Sequence, residues 1–344
     1  MRKAFAAALV LAALLFGACK KSENGVRIAV FIPGVRAGSA IYDMLASGVE
    51  EAVAEWQTAQ GKPVALNVIE GGYNQASWED EVTALAASGQ YDVIISSNPS
   101  LPAIAADVLE KFPAQKFILF DGELSGNPSV YTLRYNQREQ GYMAGYIAAL
   151  VSEELGGASG QKRLGLVAGQ EYPAMNNVIL PAYLEGAKAV NVGYSVDFRV
   201  LGNWFDAQKA ADLAQDMING GARVILAIAG GANEGVLQTA AEKGAKVVWF
   251  DINGYALKEG VVVGSAVINQ DKAAREKTLA FLDGTLPFGR AEYAGVREGY
   301  VDFIEDDPVY LKTVSEAARQ KQSALLQKIR SDTTGAFLGS GVRE

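Results

Sequence analysis

Apolar and polar positions alternate along Tyr194–Val200 (YSVDFRV), then give way to a helical repeat over Ala207–Ile218. Leu201-Gly202-Asn203-Trp204-Phe205-Asp206 lies between them. Alternation with period two predicts a half-buried strand, and apolar positions three and four apart predict an amphipathic helix. Asp206 stands at the junction, where its carboxylate can accept from the unpaired N–H groups of the first helical turn. Trp204 and Phe205 therefore fall on a strand-to-helix turn, the position at which open α/β sheets bind ligands. Position alone leaves two readings open: a flat wall for a ligand, or a plug over the end of the sheet.

The same pattern occurs earlier in the chain. Val64–Ile69 leads through Glu70-Gly71-Gly72-Tyr73-Asn74 into a helix over Ser77–Ala87, and then into Tyr91–Ile95. The later copy runs from its helix into Ala222–Leu226. Lys116-Phe117-Ile118-Leu119-Phe120-Asp121 corresponds to Lys246-Val247-Val248-Trp249-Phe250-Asp251. The apolar runs Val26–Ile32 and Arg163–Ala168 open the two copies, and helices are expected over Ile41–Trp56 and Ala103–Phe112. Both halves thus read as alternating strands and helices that end on Phe-Asp. This duplication predicts two Rossmann-like α/β lobes facing each other across a ligand cleft.

Val261–Ile268 predicts another strand, and Asn269-Gln270-Asp271 caps a helix over Lys272–Leu282 that returns to the first lobe. Gly299–Ile304 and a single helix from Val309 to Ile329 complete the second lobe, with a frayed tail after Ser331. Lobe 1 is expected to hold residues 26–135 and 270–300, and lobe 2 residues 136–269 and 301–334. Four features could line the cleft: Asp121 and Asp251 at the strand tips, Asn98 after Val93–Ser97, and Gly231 in the Gly230-Gly231-Ala232-Asn233 turn. A carboxylate at a strand tip can accept paired N–H groups from a ligand.

At 344 residues the chain is long enough for two cores. Arg2 and Lys3, the apolar run Ala4–Phe16 and the small-residue site Gly17-Ala18-Cys19 form a signal sequence over residues 1–18, too short to span a bilayer. Cys19 is the only cysteine. Its setting resembles a bacterial lipobox, with Phe16 where leucine is usual, so Cys19 is expected to be diacylated and residues 19–25 to form the anchored tether. Loss of Arg2 and Lys3 lowers 31 basic residues to 29 against 39 acids and moves the net charge from −8 to −10. Such a surface is a poor match for nucleic acid. The chain has no histidine, which excludes His-based triads, His-ligated zinc and imidazole bases. The loop Val35–Ala40 lacks the glycine patterns that cradle phosphates.

Three stretches carry a resemblance over essentially the whole mature chain: Phe112–Asp121 (FPAQKFILFD), Tyr135–Gly145 (YNQREQGYMAG) and Ile228–Val236 (IAGGANEGV). They resemble the basic membrane protein family, lipid-anchored substrate-binding proteins of ABC transporters related to the purine nucleoside receptor. The resemblance implies a type I periplasmic-binding-protein fold, no catalysis and no cofactor. It also implies a monomer facing the periplasm from the inner membrane, with a permease and an ATPase as partners. In the nucleoside-binding members, aromatics stand at positions that fall on Ile41, with Tyr42 beside it, and on Trp204; their acids fall on Asp121 and Asp251. The acids they carry in the first loop are absent from Ile32–Ser39, and a lysine position falls on Asn269.

The branch this chain most resembles is the riboflavin-binding lipoproteins of bacterial riboflavin importers. That resemblance implies riboflavin as the transported ligand, stacked on Tyr42, Trp204 and Phe205. A carboxylate, Asp121 or Asp251, would read its polar edge, the turn at Gly231 would let the backbone approach it, and Asn98, Asn136 and Gln270 would suit its ribityl chain. A purine nucleoside is the alternative ligand. From other classes, an envelope enzyme using Asp121 and Asp251 as acid and base lacks a nucleophile or a metal site to support it. A lipid-anchored adhesin or scaffold is a third reading, which a permease and ATPase encoded nearby would argue against.

Overall fold

The structure, a computed structural model, describes residues 25–37, 39–156 and 162–339. The signal sequence, Cys19, the tether up to residue 24 and the loop 157–161 lie outside the described residues. The first apolar runs become β1 (Val26–Ile32), β2 (Val64–Glu70), β3 (Val93–Ser97), β4 (Lys116–Phe120) and β5 (Val130–Tyr135). Between them run α1 (Ala40–Gln60), α2 (Trp78–Ala87) and α3 (Leu101–Lys111). After α4 (Gln137–Glu154) the pattern repeats as β6 (Arg163–Ala168), α5 (Leu180–Val190), β7 (Ser195–Val200), α6 (Ala207–Asn219), β8 (Val224–Ile228), α7 (Asn233–Lys243), β9 (Lys246–Asp251) and β10 (Val262–Ile268). The chain closes with α8 (Gln270–Leu282), β11 (Ala291–Ala294), β12 (Val301–Phe303), α9 (Pro308–Thr313) and α10 (Glu316–Ser331).

Two six-stranded sheets result, in the orders β11-β5-β4-β3-β1-β2 and β12-β10-β9-β8-β6-β7. The orders superimpose strand for strand, so the duplication read from the sequence is a duplication of topology. Every pairing is parallel except β10 with β12. Central strands β3 and β8 are buried along their whole length, as parallel strands covered by helices on both faces must be. Edge strands β2 and β7 keep half-buried positions, and in β7 this shows as alternation in the sequence.

The chain passes between lobes at one edge of each sheet. α4 follows β5 but packs on α5 and β10, and α8 follows β10 but packs along α1. The small residues of α4 allow the first of these contacts, since a Cβ on Gly145 would fall 1.9 Å from the Tyr183 carbonyl oxygen. The crossings gather at the β5/β11 and β10/β12 edges, so β2 and β7 lie at the opposite edges. The loops that follow them, Gly71–Asn74 and Leu201–Asp206, therefore flank the mouth of the cleft.

Two expectations fail at the C-terminus. The single helix expected over Val309–Ile329 is two helices, because Ser315 leaves helical geometry and its Oγ accepts from Ala318 N at 3.1 Å, starting α10 afresh. The tail is docked rather than frayed. Phe337 meets the Tyr142 ring edge-on at 5.9 Å between centroids. The Lys328 ammonium lies 3.6 Å from the Phe337 centroid, and Arg138 Nε donates to Leu338 O at 2.5 Å. None of the described helices is long and apolar enough to cross a membrane.

Candidate functional site

Among the described residues, only two other than glycine adopt a left-handed backbone: Asp121 (φ 59°) and Asp251 (φ 71°). They occupy the same place in the two copies, at the carboxyl ends of β4 and β9. A left-handed L-residue costs roughly 1–2 kcal/mol, less for aspartate, and such strain persists where the surroundings hold it for a purpose. Burial and the Asp251 charge push the Asp121 carboxyl up to about 7, while the Arg134 guanidinium pulls it back. Arg134 itself pairs with Glu123 at 3.0 Å and lies 4.9 Å from the centroid of Tyr293. Burial pushes Asp251 up to about 6, opposed by a hydrogen bond that Gln140 Nε2 donates to its Oδ1 at 3.0 Å. Both residues keep partial solvent access, so they line a cleft rather than a sealed core.

An aromatic side chain is placed by the same device in each lobe, and the one in lobe 1, Tyr42, feels the Asp121 charge. Just past β1 lies Gly34, where a Cβ would fall 2.8 Å from the Tyr42 ring, and just past β6 lies Gly169, where a Cβ would fall 2.4 Å from the Trp204 indole. The next loops are tied identically: Gly72 N donates to Gly34 O at 2.9 Å, and Gly202 N to Gly169 O at 2.8 Å. In lobe 1, Asn98 Nδ2 donates to Tyr42 Oη at 3.4 Å, while Asn98 Oδ1 accepts from Ser100 N at 2.9 Å. In lobe 2, Asp206 caps α6 as expected, accepting from Lys209 N at 3.0 Å, and Trp204 is left 40% exposed.

Sequence reasoning did not single out Tyr172. Its ring centroid lies 6.4 Å from that of Trp204 at an interplanar angle of 45°. Burial and then the charges of Asp251 and Asp121 push its phenol up, so it sits where both carboxylates are felt. The available signal was the duplication itself: Tyr172 follows Gly169 by three residues, in the loop equivalent to the one after Gly34.

The structure thus brings together Tyr42, Asn98, Asp121, Trp204 and Asp251 and adds Tyr172 and Gln140. Other expected positions differ. Phe205 is 80% exposed, where a stacking residue was expected. At the glycine turn, Gly230 rather than Gly231 carries the left-handed backbone (φ 58°), and its Cβ would fall 3.0 Å from Trp204 O. Gln270 is fully buried: its Oε1 accepts from Ser97 Oγ at 2.8 Å and Tyr135 Oη at 3.3 Å, and its Nε2 donates to Ile41 O at 2.7 Å. It seats the start of α1 and faces no ligand. Asn136 is likewise a structural cap, its Oδ1 accepting from Glu139 N at 3.2 Å and Tyr293 Oη at 2.7 Å. No three acids among the described residues gather to hold a metal ion.

Comparison with known proteins adds the family. Residues 25–334 match the family described as ABC transporter substrate-binding protein PnrA-like (Bmp). The nucleoside-binding protein BmpA of an ABC transporter in Lactococcus lactis is 23% identical over 234 residues, which cover 63% of this chain and 64% of that protein. The chain thus spans less than two thirds of that relative's length. A solute-binding protein of an ABC transporter system from Aeropyrum pernix K1 has the same fold, with TM-score 0.75 at 20% identity over 89% of this chain and 91% of the other. A transcriptional activator of the comK gene from Bacillus halodurans also shares it, with TM-score 0.70 at 18% identity over 89% and 98%. The matched family is one of binding proteins, not enzymes. Two α/β lobes of superimposable topology, paired acids at equivalent tips and a match across nearly every described residue lead to one conclusion: the chain belongs to the Bmp family of ABC transporter substrate-binding proteins.

Proposed function

We propose that the chain is the receptor of an importer and captures a purine nucleoside between its lobes. The base would stack on Tyr42 and Trp204 while Asp121 and Asp251 read its polar edge. The observation that carries this reading is the facing pair of left-handed aspartates together with aromatics seated on Gly34 and Gly169. A planar heterocycle with ring N–H groups suits that arrangement, because carboxylates accept from N–H and aromatic faces add roughly 0.5–1.5 kcal/mol beyond area burial. The Lactococcus relative, named a nucleoside-binding protein, supports the same ligand class. Phe205 is 80% exposed, so it is not part of the seated Tyr42 and Trp204 wall that would hold a purine.

Riboflavin remains as a second reading for one reason. Tyr73 (84% exposed) and Phe205 (80% exposed) stand on the equivalent loops at the mouth of the cleft, where they would extend the stacking surface over a wider ring system. Titration calorimetry of ligand-stripped protein with inosine, guanosine and riboflavin separates the two. Saturable nucleoside binding without a riboflavin response upholds the first reading, the reverse upholds the second, and silence with all three rejects both. Delivery to a permease with its ATPase, and a diacylated Cys19 anchoring the protein to the inner membrane with the lobes in the periplasm, complete the proposal. Mass spectrometry of the mature N-terminus tests the anchor: an unmodified Cys19 would remove it.

A further inference from the structure

Gln140 is fully buried, yet its carboxamide reaches the tip of β9. It lies in the first turns of α4, just after the chain first crosses between lobes. Nε2 donates to Asp251 Oδ1 at 3.0 Å and to Ala266 O at 3.0 Å, on the strand that leads to the second crossing. Both neighbours are acceptors and one is a backbone carbonyl that never gains a proton. The amide is therefore locked with its nitrogen toward Asp251, and its Oε1 has no hydrogen-bond partner among the described residues. A locked donor favours the ionised form of the carboxylate it faces. Asp121 has no equivalent: among the described residues nothing donates to its carboxylate side chain, and its nearest cation, Arg134, is already paired with Glu123.

We propose that Gln140 is a positioning residue that gives the two cleft carboxylates opposite roles, Asp251 accepting from a ligand N–H and a protonated Asp121 donating to a ligand carbonyl or ring nitrogen. The proposal rests on the receptor reading above and narrows it to ligands that present a donor beside an acceptor, as a lactam edge does. The groups facing Asp251 are Asp121, Tyr172 and Gln140; those facing Asp121 are Asp251, Arg134, Tyr42 and Tyr135. All the tyrosines stay neutral in the range where the acids titrate; burial raises both carboxylates, and the contacts that oppose it differ, a direct hydrogen bond from Gln140 on Asp251 and the Arg134 charge on Asp121.

The test is a carboxyl-carbon NMR titration of ligand-free protein carrying labelled aspartate, which needs no ligand and so stands apart from the receptor reading. In the wild type, Asp251 is expected to ionise before Asp121. In Gln140→Leu the Asp251 midpoint should rise by about one to two pH units, the size of a charged hydrogen bond, and the order should be lost. An unmoved Asp251 midpoint, or Asp121 ionising first in the wild type, overturns the proposal. If Gln140→Leu does not fold, the wild-type side-chain amide of Gln140 must shift with the Asp251 midpoint, and an amide indifferent to pH overturns it equally. A second arm follows inosine affinity against pH. Affinity should fall as Asp251 gains its proton on the acid side and again as Asp121 loses its own on the alkaline side, and a flat profile contradicts the assigned roles. If inosine does not bind at all, the nucleoside reading fails while the titration result stands.

Discussion

The two lobes build the same wall from different chemistry. Lobe 1 sets Tyr42 over Gly34 and secures it with Asn98, and its loop is clamped by Arg36, which donates to Asp43 Oδ1 at 2.6 Å, Glu50 Oε1 at 2.7 Å and Ser47 Oγ at 3.1 Å. Lobe 2 sets the larger Trp204 over Gly169 beside the tilted ring of Tyr172, with Ala232 N donating to the Trp204 carbonyl at 3.3 Å. The acids differ in the same way, with Asp121 moderated by a distant charge and Asp251 by a direct hydrogen bond. Duplication preserved the backbone device, a glycine just past the first strand and a left-handed aspartate at the tip of the fourth. The side chains around it diverged, so one wall is held by polar side chains and the other is broad, apolar and more exposed.

If that contrast is correct, truncating the two aromatics has unequal consequences. Trp204→Ala is expected to weaken nucleoside binding by about 2–3 kcal/mol, roughly 30- to 150-fold, because large aromatics in binding sites dominate the energy of recognition. Tyr42→Ala is expected to lose about 1–2 kcal/mol, some of it through the orphaned Asn98 amide. Calorimetry on both variants decides the matter, and equal losses would mean the walls contribute alike. Phe205→Ala should leave nucleoside affinity unchanged.

The acids provide a contrast of stability rather than affinity. An aspartate ionises near 3.9 in an unfolded chain, whereas Asp121 and Asp251 hold their protons to about 7 and about 6 in the fold. Between those limits the native state binds more protons than the unfolded one, so each group lowers stability as pH rises from about 4 to its folded value. Asp121→Asn removes that loss and still tolerates a left-handed backbone. It should be more stable than wild type by about 1–3 kcal/mol at pH 8, with the gap closing toward pH 4. Asp251→Asn should gain less, because its folded value is lower. Urea denaturation at pH 5 and pH 8 measures both, and a gap that widens toward acid would reverse the assignment.

The legible parts of this molecule were those written in periodicity. The parallel strands, the helices between them, the duplication and the Asp206 cap all follow from spacing and residue type, because burial imposes a pattern over many positions at once. What escaped was local. The backbone state of Asp121 or Asp251 leaves no periodic trace. Tyr172 is a lone aromatic beside a proline in a short loop. Gln270 sits in the polar run Asn269-Gln270-Asp271, which reads as an exposed cap, and only the return of α8 onto α1 buries it. The break at Ser315 interrupts a helical pattern that continues in phase on both sides. The short strand β11 (AEYA) has too few apolar positions to declare itself.

The smallest effect tests whether rigidity itself distinguishes the walls. Among the described residues Arg36 makes no hydrogen bond to Tyr42, Asn98 or Asp121; its guanidinium bonds tie the loop after β1 to α1, and its backbone N–H donates to Glu70 Oε1 at 3.1 Å. These ion pairs are partly exposed, and such pairs are individually worth at most about 1 kcal/mol. Their value for binding is that a loop ordered in advance need not be ordered by the ligand. Arg36→Ala is therefore expected to weaken nucleoside binding about three- to fivefold with little change in global stability, since the loop is ordered only locally. In lobe 2 the nearest equivalent is the exposed bond from Asn176 Nδ2 to Glu171 Oε2 at 3.0 Å, and Glu171→Ala should leave affinity unchanged within error. Equal effects from the two substitutions, read by calorimetry and by hydrogen exchange over residues 33–37 and 169–174, would show that the lobes are equally preorganised and that only the identity of their aromatics sets them apart.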